Sequence, residues 1–260
     1  MAKRLFAGPW VGELGWELMM WQAHIRAIAI LGEYDEVIIA TRPGHDFLYK
    51  DFMTDFVPYP IEGATDCELC DSKTYNDFFK NTLVKGDVLV KVQRFPTWKS
   101  VGGDLFFKFQ KFVKYGNKTG KNKFDIIVHA RNTNKRNTAY RNWPMDRWNN
   151  LISELKGHNI ACIGTKHAAA HLAGTTDMRG IPMSDLCDMM ADSKLVIGTS
   201  SGPLHLASLC GTPHVVLSHG CNIERYEKHW NPFNTKVKVV EDEKWNPYVS
   251  EVLNGIKEIL

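Results

Sequence analysis

Nowhere in the 260 residues does an apolar run reach the eighteen or so residues that a membrane-spanning helix requires. No transmembrane segment is therefore expected. The opening stretch, Met1 to Ala7 (MAKRLFA), carries two charges but no long apolar run behind them, and Gly8, Pro9, Gly12 and Glu13 arrive too soon for a secretory leader. Cysteine is sparse. The six residues, at 67, 70, 162, 187, 210 and 221, are scattered rather than set out as a disulfide framework, which fits thiols kept reduced in a cytoplasmic protein. Charge of one sign is not in large excess either. Thirty-two Lys and Arg against 29 Asp and Glu leave a net +3, too little for bulk charge to demand nucleic acid, although acidic ligands such as nucleotide phosphates suit it. There is no internal repeat and no low-complexity tract. Cys67 and Cys70, flanked by Asp66, Glu68 and Asp71, have no second pair at matching spacing, and His167 and His171 lack a third ligand, so no metal is expected.

What is present is a 44% hydrophobic chain, enough for a buried core, in which strand-like and helix-like segments alternate. That alternation predicts an α/β fold with mostly parallel sheets. In the first half, Arg4 to Ala7, Glu36 to Ala40 and Asp87 to Val92 read as strands. Gly12 to Ile30 reads as one long helix, with Leu14, Leu18, Trp21, Ile25 and Ile28 at helical spacing. Lys108 to Lys123 then carries six lysines and no acid, with Gly116, Asn117, Gly120 and Asn122 spoiling its second half as a helix. It reads as a solvated linker, or alternatively as a basic rim that attracts phosphate. The chain accordingly divides into an N-terminal lobe over 1–118 and a C-terminal lobe over 119–260.

After the boundary the pattern restarts. Strands are predicted at Phe124 to His129, Asn159 to Ile163, Lys194 to Ile197 and His214 to Leu217. Helices are predicted at Pro144 to Lys156, with Pro144 in the first turn; at Ser184 to Ala191, capped by Ser184; at Gly202 to Leu209; and over Pro247 to Leu260, a last helix that can pack back across both lobes.

The segment Leu195 to Leu217 (LVIGTSSGPLHLASLCGTPHVVL) carries the sharpest chemical signal. A buried strand ends in the small polar turn Gly198-Thr199-Ser200-Ser201-Gly202, and a helix begins at about Pro203. Small residues admit close backbone approach, and the free N–H groups and dipole of a helix start favour an anion. At the carboxyl ends of parallel strands this is the specification for a diphosphate site, although an ordinary strand-turn-helix satisfies the same pattern.

Gly202-Pro203-Leu204-His205-Leu206-Ala207, followed by Gly211-Thr212-Pro213 and the strand His214 to Leu217, resembles the signature of glycosyltransferase family 9, the heptosyltransferase-like enzymes. The resemblance implies two Rossmann-like lobes (the GT-B fold), here with a shortened N-terminal lobe. It implies a nucleotide-sugar as donor substrate, no metal cofactor, and donor phosphates against Ser200, Ser201, Gly202, Pro203, Leu204 and His205. Ser200 stands where the family usually has an aspartate that contacts the sugar-nucleotide. A second match lies in Val128 to Trp148, where Arg141 precedes Asn142-Trp143-Pro144. A cation in this loop neutralises a leaving diphosphate, and Arg131, Lys135 and Arg136 compete with Arg141 for that role. The third match is the turn after the first strand. There Gly12-Glu13 takes the place of a glycine-aspartate pair whose carboxylate deprotonates the acceptor hydroxyl. Glu17, one helical turn on, is the rival, and either acid also fits as a complement to the helix dipole.

The nucleoside is expected at the Gly164-Thr165-Lys166 turn and the Arg179 to Met183 loop, with Ile181 and Met183 named from the latter. Trp10, Trp16 and Trp21 flank the expected acceptor side, as core residues or as stacking surfaces. The acceptor is expected to be a saccharide. The alternatives are a hydroxymethylated base in phage duplex DNA, which the lysine-rich segment favours, and a non-catalytic nucleotide-sugar or glycan-binding protein, which the serine at 200 favours.

Overall fold

The computed structural model describes residues 2–10, 12–59, 72–91, 109–134 and 139–260. The chain divides into two units, Met1–Phe112 and Val113–Leu260.

In the first unit, four parallel strands, β1 (Arg4–Ala7), β2 (Glu36–Thr41), β3 (Asp55–Pro58) and β4 (Val88–Val90), lie in the order β3-β2-β1-β4. Phe6, Ile38, Ala40 and Phe79 of the helix α3 (Ser72–Thr82) form a core cluster on this sheet. After β1 the chain turns sharply at Gly8, where a side chain is excluded: at φ +120°, an added Cβ would stand 2.2 Å from the Ala40 carbonyl oxygen. The single helix expected over Gly12 to Ile30 is in fact three pieces. A short α1 (Leu14–Trp16) leads into a π-helical turn (Glu17–Trp21) and then α2 (Gln22–Gly32). Every residue of the π turn is buried. The wider turn lies where Glu17 bonds to Thr41 at the end of β2 while Trp21 stacks on Trp10 at 5.5 Å. Trp10 and Trp21 are thus core residues and Trp16 is half-buried.

In the second unit, six parallel strands lie in the order β10-β9-β8-β5-β6-β7. They are β5 (Ile126–His129), β6 (Ile160–Cys162), β7 (Thr176–Asp177), β8 (Leu195–Thr199), β9 (His214–Ser218) and β10 (Val237–Glu241). The strands β5, β6, β8 and β9 are buried along their whole length, as a sheet covered on both faces requires. The helices are α4 (Met145–Glu154), α5 (Met183–Asp192), α6 (Gly202–Cys210) and α7 (Val249–Ile259). In the core, Trp143 and Trp148 meet edge to face at 4.7 Å, and α7 packs on β10, β9 and α4 through Val252, Ile256 and Ile259.

Three local expectations are corrected. Pro144 precedes α4 rather than lying in its first turn, with ψ 141°. Ser184 does not cap α5; the helix starts at Met183 behind Pro182, and the Ser184 hydroxyl donates to Asp185 at 3.2 Å. Residues 113–124 are not a free linker but belong to the second unit. The Tyr115 N–H donates to the Leu209 carbonyl, Asn117 N–H to Asp188, and Thr119, Gly120 and Asn122 to the carboxylate of Asp192. Gly116, at φ +77°, lets this strip lie directly against α5, since a Cβ there would stand 2.2 Å from the Cys187 carbonyl oxygen.

Candidate functional site

From β5 the chain continues to β6 and β7 on one side, then returns to β8 on the other. The loops after β5 and β8 therefore diverge at the point where parallel sheets leave a crevice for ligands. His129, the last residue of β5, is paired with Gly198 of β8. Gly198 is required there, because a Cβ would stand 2.7 Å from Leu204 and 3.0 Å from the His129 carbonyl oxygen.

The next residues build the start of α6. The Ser201 hydroxyl lies 2.8 Å from the Thr199 carbonyl and 3.0 Å from His129 Nδ1. Its one hydrogen goes to the carbonyl, so His129 Nδ1–H is the donor to Ser201. Burial, helped by the charge of Arg131, lowers the His129 pKa to about 4, which keeps the ring neutral near pH 7. Ser200 is buried; its N–H donates to the Leu217 carbonyl at 3.0 Å and its Oγ accepts from the Tyr226 hydroxyl at 3.1 Å. Burial pushes the Tyr226 phenol up to about 12, so it remains a donor. Tyr226 stacks on His205 at 4.5 Å, and His205 meets Trp230 edge-on at 4.6 Å. Burial, then the charges of Arg225 and His214, hold His205 well below the ordinary histidine range. Thr199 Oγ1 and His205 Nδ1 are buried without a hydrogen-bond partner among the described residues. Gly202, Pro203 and Leu204 form the first turn of the helix, with Pro203 where its missing N–H costs nothing.

Two of the four expected cations can be placed. Arg131 donates to Asn142 Oδ1 at 3.0 Å, and Asn142 in turn donates to the Thr133 carbonyl at 2.9 Å, which joins the loop after β5 to the 3-10 turn Ala139–Arg141. Arg141 ends that turn with its guanidinium over Trp245 at 5.7 Å. Lys135 and Arg136 lie outside the described residues.

The two segments expected to hold the nucleoside are brought together. The Gly180 N–H donates to the Gly164 carbonyl at 2.8 Å, which joins the Gly164-Thr165-Lys166 turn to the stretch carrying Ile181 and Met183, the first residue of α5. Gly164, at φ +116°, lies against His129; a Cβ there would stand 2.9 Å from His129 Cδ2 and 2.7 Å from Ala169. His129 thus touches both the expected nucleoside turn and the start of α6.

In the first unit the two rival acids have opposite surroundings. Glu13 is exposed just ahead of α1, with no side-chain cap bond. It follows Gly12, where a Cβ would stand 2.5 Å from the ring of Trp10. Glu17 is fully buried, and its carboxylate accepts from Thr41 at 2.6 Å and Tyr49 at 2.8 Å and pairs with His45 Nδ1 at 2.6 Å. Burial pushes its pKa up, but the charge of His45 and the three hydrogen bonds outweigh that and hold the carboxyl below the usual glutamate range.

Among the described residues no group of three or more His, Cys, Asp or Glu could hold a metal ion. Cys67 and Cys70 lie outside them. No described helix is long and apolar enough to cross a membrane, and Cys162, Cys187, Cys210 and Cys221 are free thiols.

Sequence reasoning did not place His129 and Tyr226 against Ser201 and Ser200, and it did not single out Arg225. His129 was visible as the last residue of a predicted strand at the ligand edge. The other two follow β9 in a π-helical turn, Arg225–His229, which carries no motif.

No protein-family model matches the sequence, and no curated protein matches it either. Solved structures do. A glycosyl transferase family 9 structure from Veillonella parvula superposes with a TM-score of 0.63 at 10% identity, covering 99% of this chain and 97% of that one. The E. coli ADP-heptose LPS heptosyltransferase II gives 0.60 at 12% identity, over 99% and 98% of the two chains. The E. coli heptosyltransferase WaaC with ADP gives 0.60 at 12%, over 99% and 100%. Two successive parallel α/β units, of four and six described strands, are what this chain shares with them: it has the GT-B fold of these glycosyltransferase structures.

Proposed function

We propose that the chain is an inverting, metal-independent, cytoplasmic glycosyltransferase of the heptosyltransferase-like family, which moves a sugar from a nucleotide-sugar to a hydroxyl of a saccharide acceptor. One observation carries the reading. At the switch point of the second sheet, the start of α6 gathers buried polar groups without partners among the described residues, Thr199 Oγ1 and His205 Nδ1, and Arg141, between β5 and α4, has no carboxylate partner among those residues. Buried polar groups left unpaired are costly, and a bound anion relieves that cost.

In this reading the second unit binds the donor. The diphosphate lies against residues 200–205, with Arg141 and Arg131 supplying positive charge, and the nucleoside lies along Gly164, Thr165, Lys166, Ile181 and Met183. Ser201 is held in place by the neutral His129 ring. In the first unit Glu13, exposed and uncommitted to a cap, takes the proton of the acceptor hydroxyl. The hydroxyl oxygen forms its bond to the anomeric carbon from the face opposite the leaving group. The bond from that carbon to the diphosphate oxygen breaks, configuration inverts, and the electron pair leaves with the nucleoside diphosphate. Arginine offsets the charge that develops there, the part a metal ion plays elsewhere. Glu17 does not take the role of base in this scheme, because its lone pairs are spent on Thr41, Tyr49 and His45. The fold likeness supports a nucleotide-sugar donor through the two E. coli heptosyltransferases, one named for ADP-heptose and one solved with ADP.

The test is a screen of nucleotide diphosphates and nucleotide-sugars by thermal shift, followed by turnover of the stabilising donor with a saccharide acceptor in excess chelator. A donor that raises the melting temperature and is consumed with inversion supports the scheme. Binding without any turnover across acceptors would favour the non-catalytic alternative, and turnover that chelator abolishes would remove metal independence.

A further inference from the structure

We infer that Arg225 is a further cation of the donor site and acts with Arg141 as a two-arginine clamp on the diphosphate. The inference rests on reading the start of α6 as a diphosphate site. Arg225 opens the π-helical turn after β9, and its guanidinium lies over Trp230 at 4.9 Å. Its Nε is buried with no hydrogen-bond partner among the described residues. The nearest acid in sequence, Glu224, is turned to Lys228 at 3.7 Å and His229 at 3.5 Å, and Arg225 has no ion pair among the described residues. Arg141 repeats the arrangement, lying over Trp245 with a buried, unpartnered Nε.

The two cations also share a target. The charges of both act on the hydroxyl of Tyr226, which donates to Ser200 at the start of α6. Burial lowers the Arg225 pKa, and the like charge of Arg141 pushes the same way. Two partly desolvated guanidiniums without a counter-ion repel each other, and neither has gained a carboxylate to offset its lost hydration. A ligand with two adjacent phosphoryl groups removes both costs. Each planar guanidinium can present paired N–H groups to one phosphoryl group while its face rests on an aromatic ring. Tyr226 and Ser200 then set the distance between the clamp and the helix start. They do so at the position where the family resemblance expects an aspartate, so here the site holds a neutral hydroxyl pair flanked by two positive charges.

The experiment is calorimetric titration of inorganic pyrophosphate, and separately of a nucleoside diphosphate, into wild type, Arg225→Ala, Arg225→Lys, Arg225→Gln and Arg141→Ala. Loss of one charge-assisted contact predicts that Arg225→Ala weakens pyrophosphate binding by about tenfold or more, with Arg225→Lys recovering part of the loss. The ligand-free melting temperature should stay level or rise, because a like-charge repulsion is removed. A merely structural arginine would lower it. Arg225→Gln gives the same reading should the alanine variant fail to fold. Pyrophosphate binding unchanged in Arg225→Ala and Arg225→Gln overturns the clamp, as does a wild type that binds no pyrophosphate. If pyrophosphate binds through both arginines but no nucleotide diphosphate or nucleotide-sugar does, the clamp stands and the glycosyl-transfer reading falls.

Discussion

Glu13 and Glu17 are four residues apart, and their surroundings decide what each does. Glu17 is a structural hub whose carboxylate holds the π turn to Thr41 at the end of β2 and to His45 and Tyr49 beyond it. Replacing it by alanine strands three polar groups and should cost about 3–5 kcal/mol, the loss expected on breaking a buried charged network. Its folded pKa lies below the unfolded value of about 4.3, so the folded state holds its proton less tightly. The stabilisation is therefore fully present above about pH 4.3 and is lost as pH falls through the lower, folded value. Denaturation of Glu17→Gln followed from pH 7 to 3 should show a weaker acid dependence than wild type; an unchanged profile would mean that the carboxylate is not ionised in the fold. Glu13→Gln should behave oppositely. Its side chain is exposed and makes no cap bond, so stability and donor binding should be unaffected while turnover falls about 10²–10⁴-fold, the usual share of general base catalysis. Near-normal turnover in a rate assay would remove Glu13 as the base.

At the scale of elements, β5, α6 and β9 each contribute a buried histidine: His129, His205 and His214. Burial lowers His129 and His214 to about 4 and His205 well below its ordinary value. A base whose folded pKa is depressed binds its proton better when unfolded, so each histidine erodes stability as pH falls from about 6.5 toward 4. For His129 the full effect is about 3 kcal/mol, reached below the folded value. The melting temperature should therefore begin to fall between pH 7 and 5, before the carboxylates titrate. His129→Asn should flatten that slope by about one proton, and a slope that does not change would place the His129 proton elsewhere. The strip from 113 to 124 makes a second element-scale prediction. Asp192 accepts from the Thr119 hydroxyl and from the N–H groups of Gly120 and Asn122, so Asp192→Ala should speed hydrogen exchange at the Gly120 and Asn122 amides while leaving β5 and β8 protected.

At the scale of the whole molecule the prediction concerns ligand linkage. A nucleoside diphosphate at a hundred times its dissociation constant should add about 2.7 kcal/mol to the stability of the unit that binds it. In the scheme above, limited proteolysis or calorimetry should show that gain in 113–260. The lysines of the 113–124 strip point to a related measurement. Lys114, Lys118, Lys121 and Lys123 are exposed, so weak, salt-sensitive association with duplex DNA is expected from charge alone. A DNA acceptor would instead require transfer to a hydroxymethylated base.

Local patterning alone determined the α/β class, the positions of most strands and the glycine turn into α6. Buried parallel strands read as short apolar runs, and helix starts carry small residues and proline, whatever else the chain does. It also set Gly202 to His205 at the head of a helix and Arg141 ahead of a Trp-Pro pair. Contacts across the sequence decided the rest. The π turn exists because Glu17 finds Thr41 and Tyr49, 24 and 32 residues away. His129 is a buried, neutral partner of Ser201 because β8 brings Ser201 to it across 72 residues. Arg225 and Tyr226 follow β9 with no motif of their own, and only the order of strands in the sheet carries Tyr226 to Ser200. Spacing along a chain encodes what a helix or strand does with its own neighbours, whereas a ligand site gathers groups from the ends of several strands, and that gathering is a property of topology.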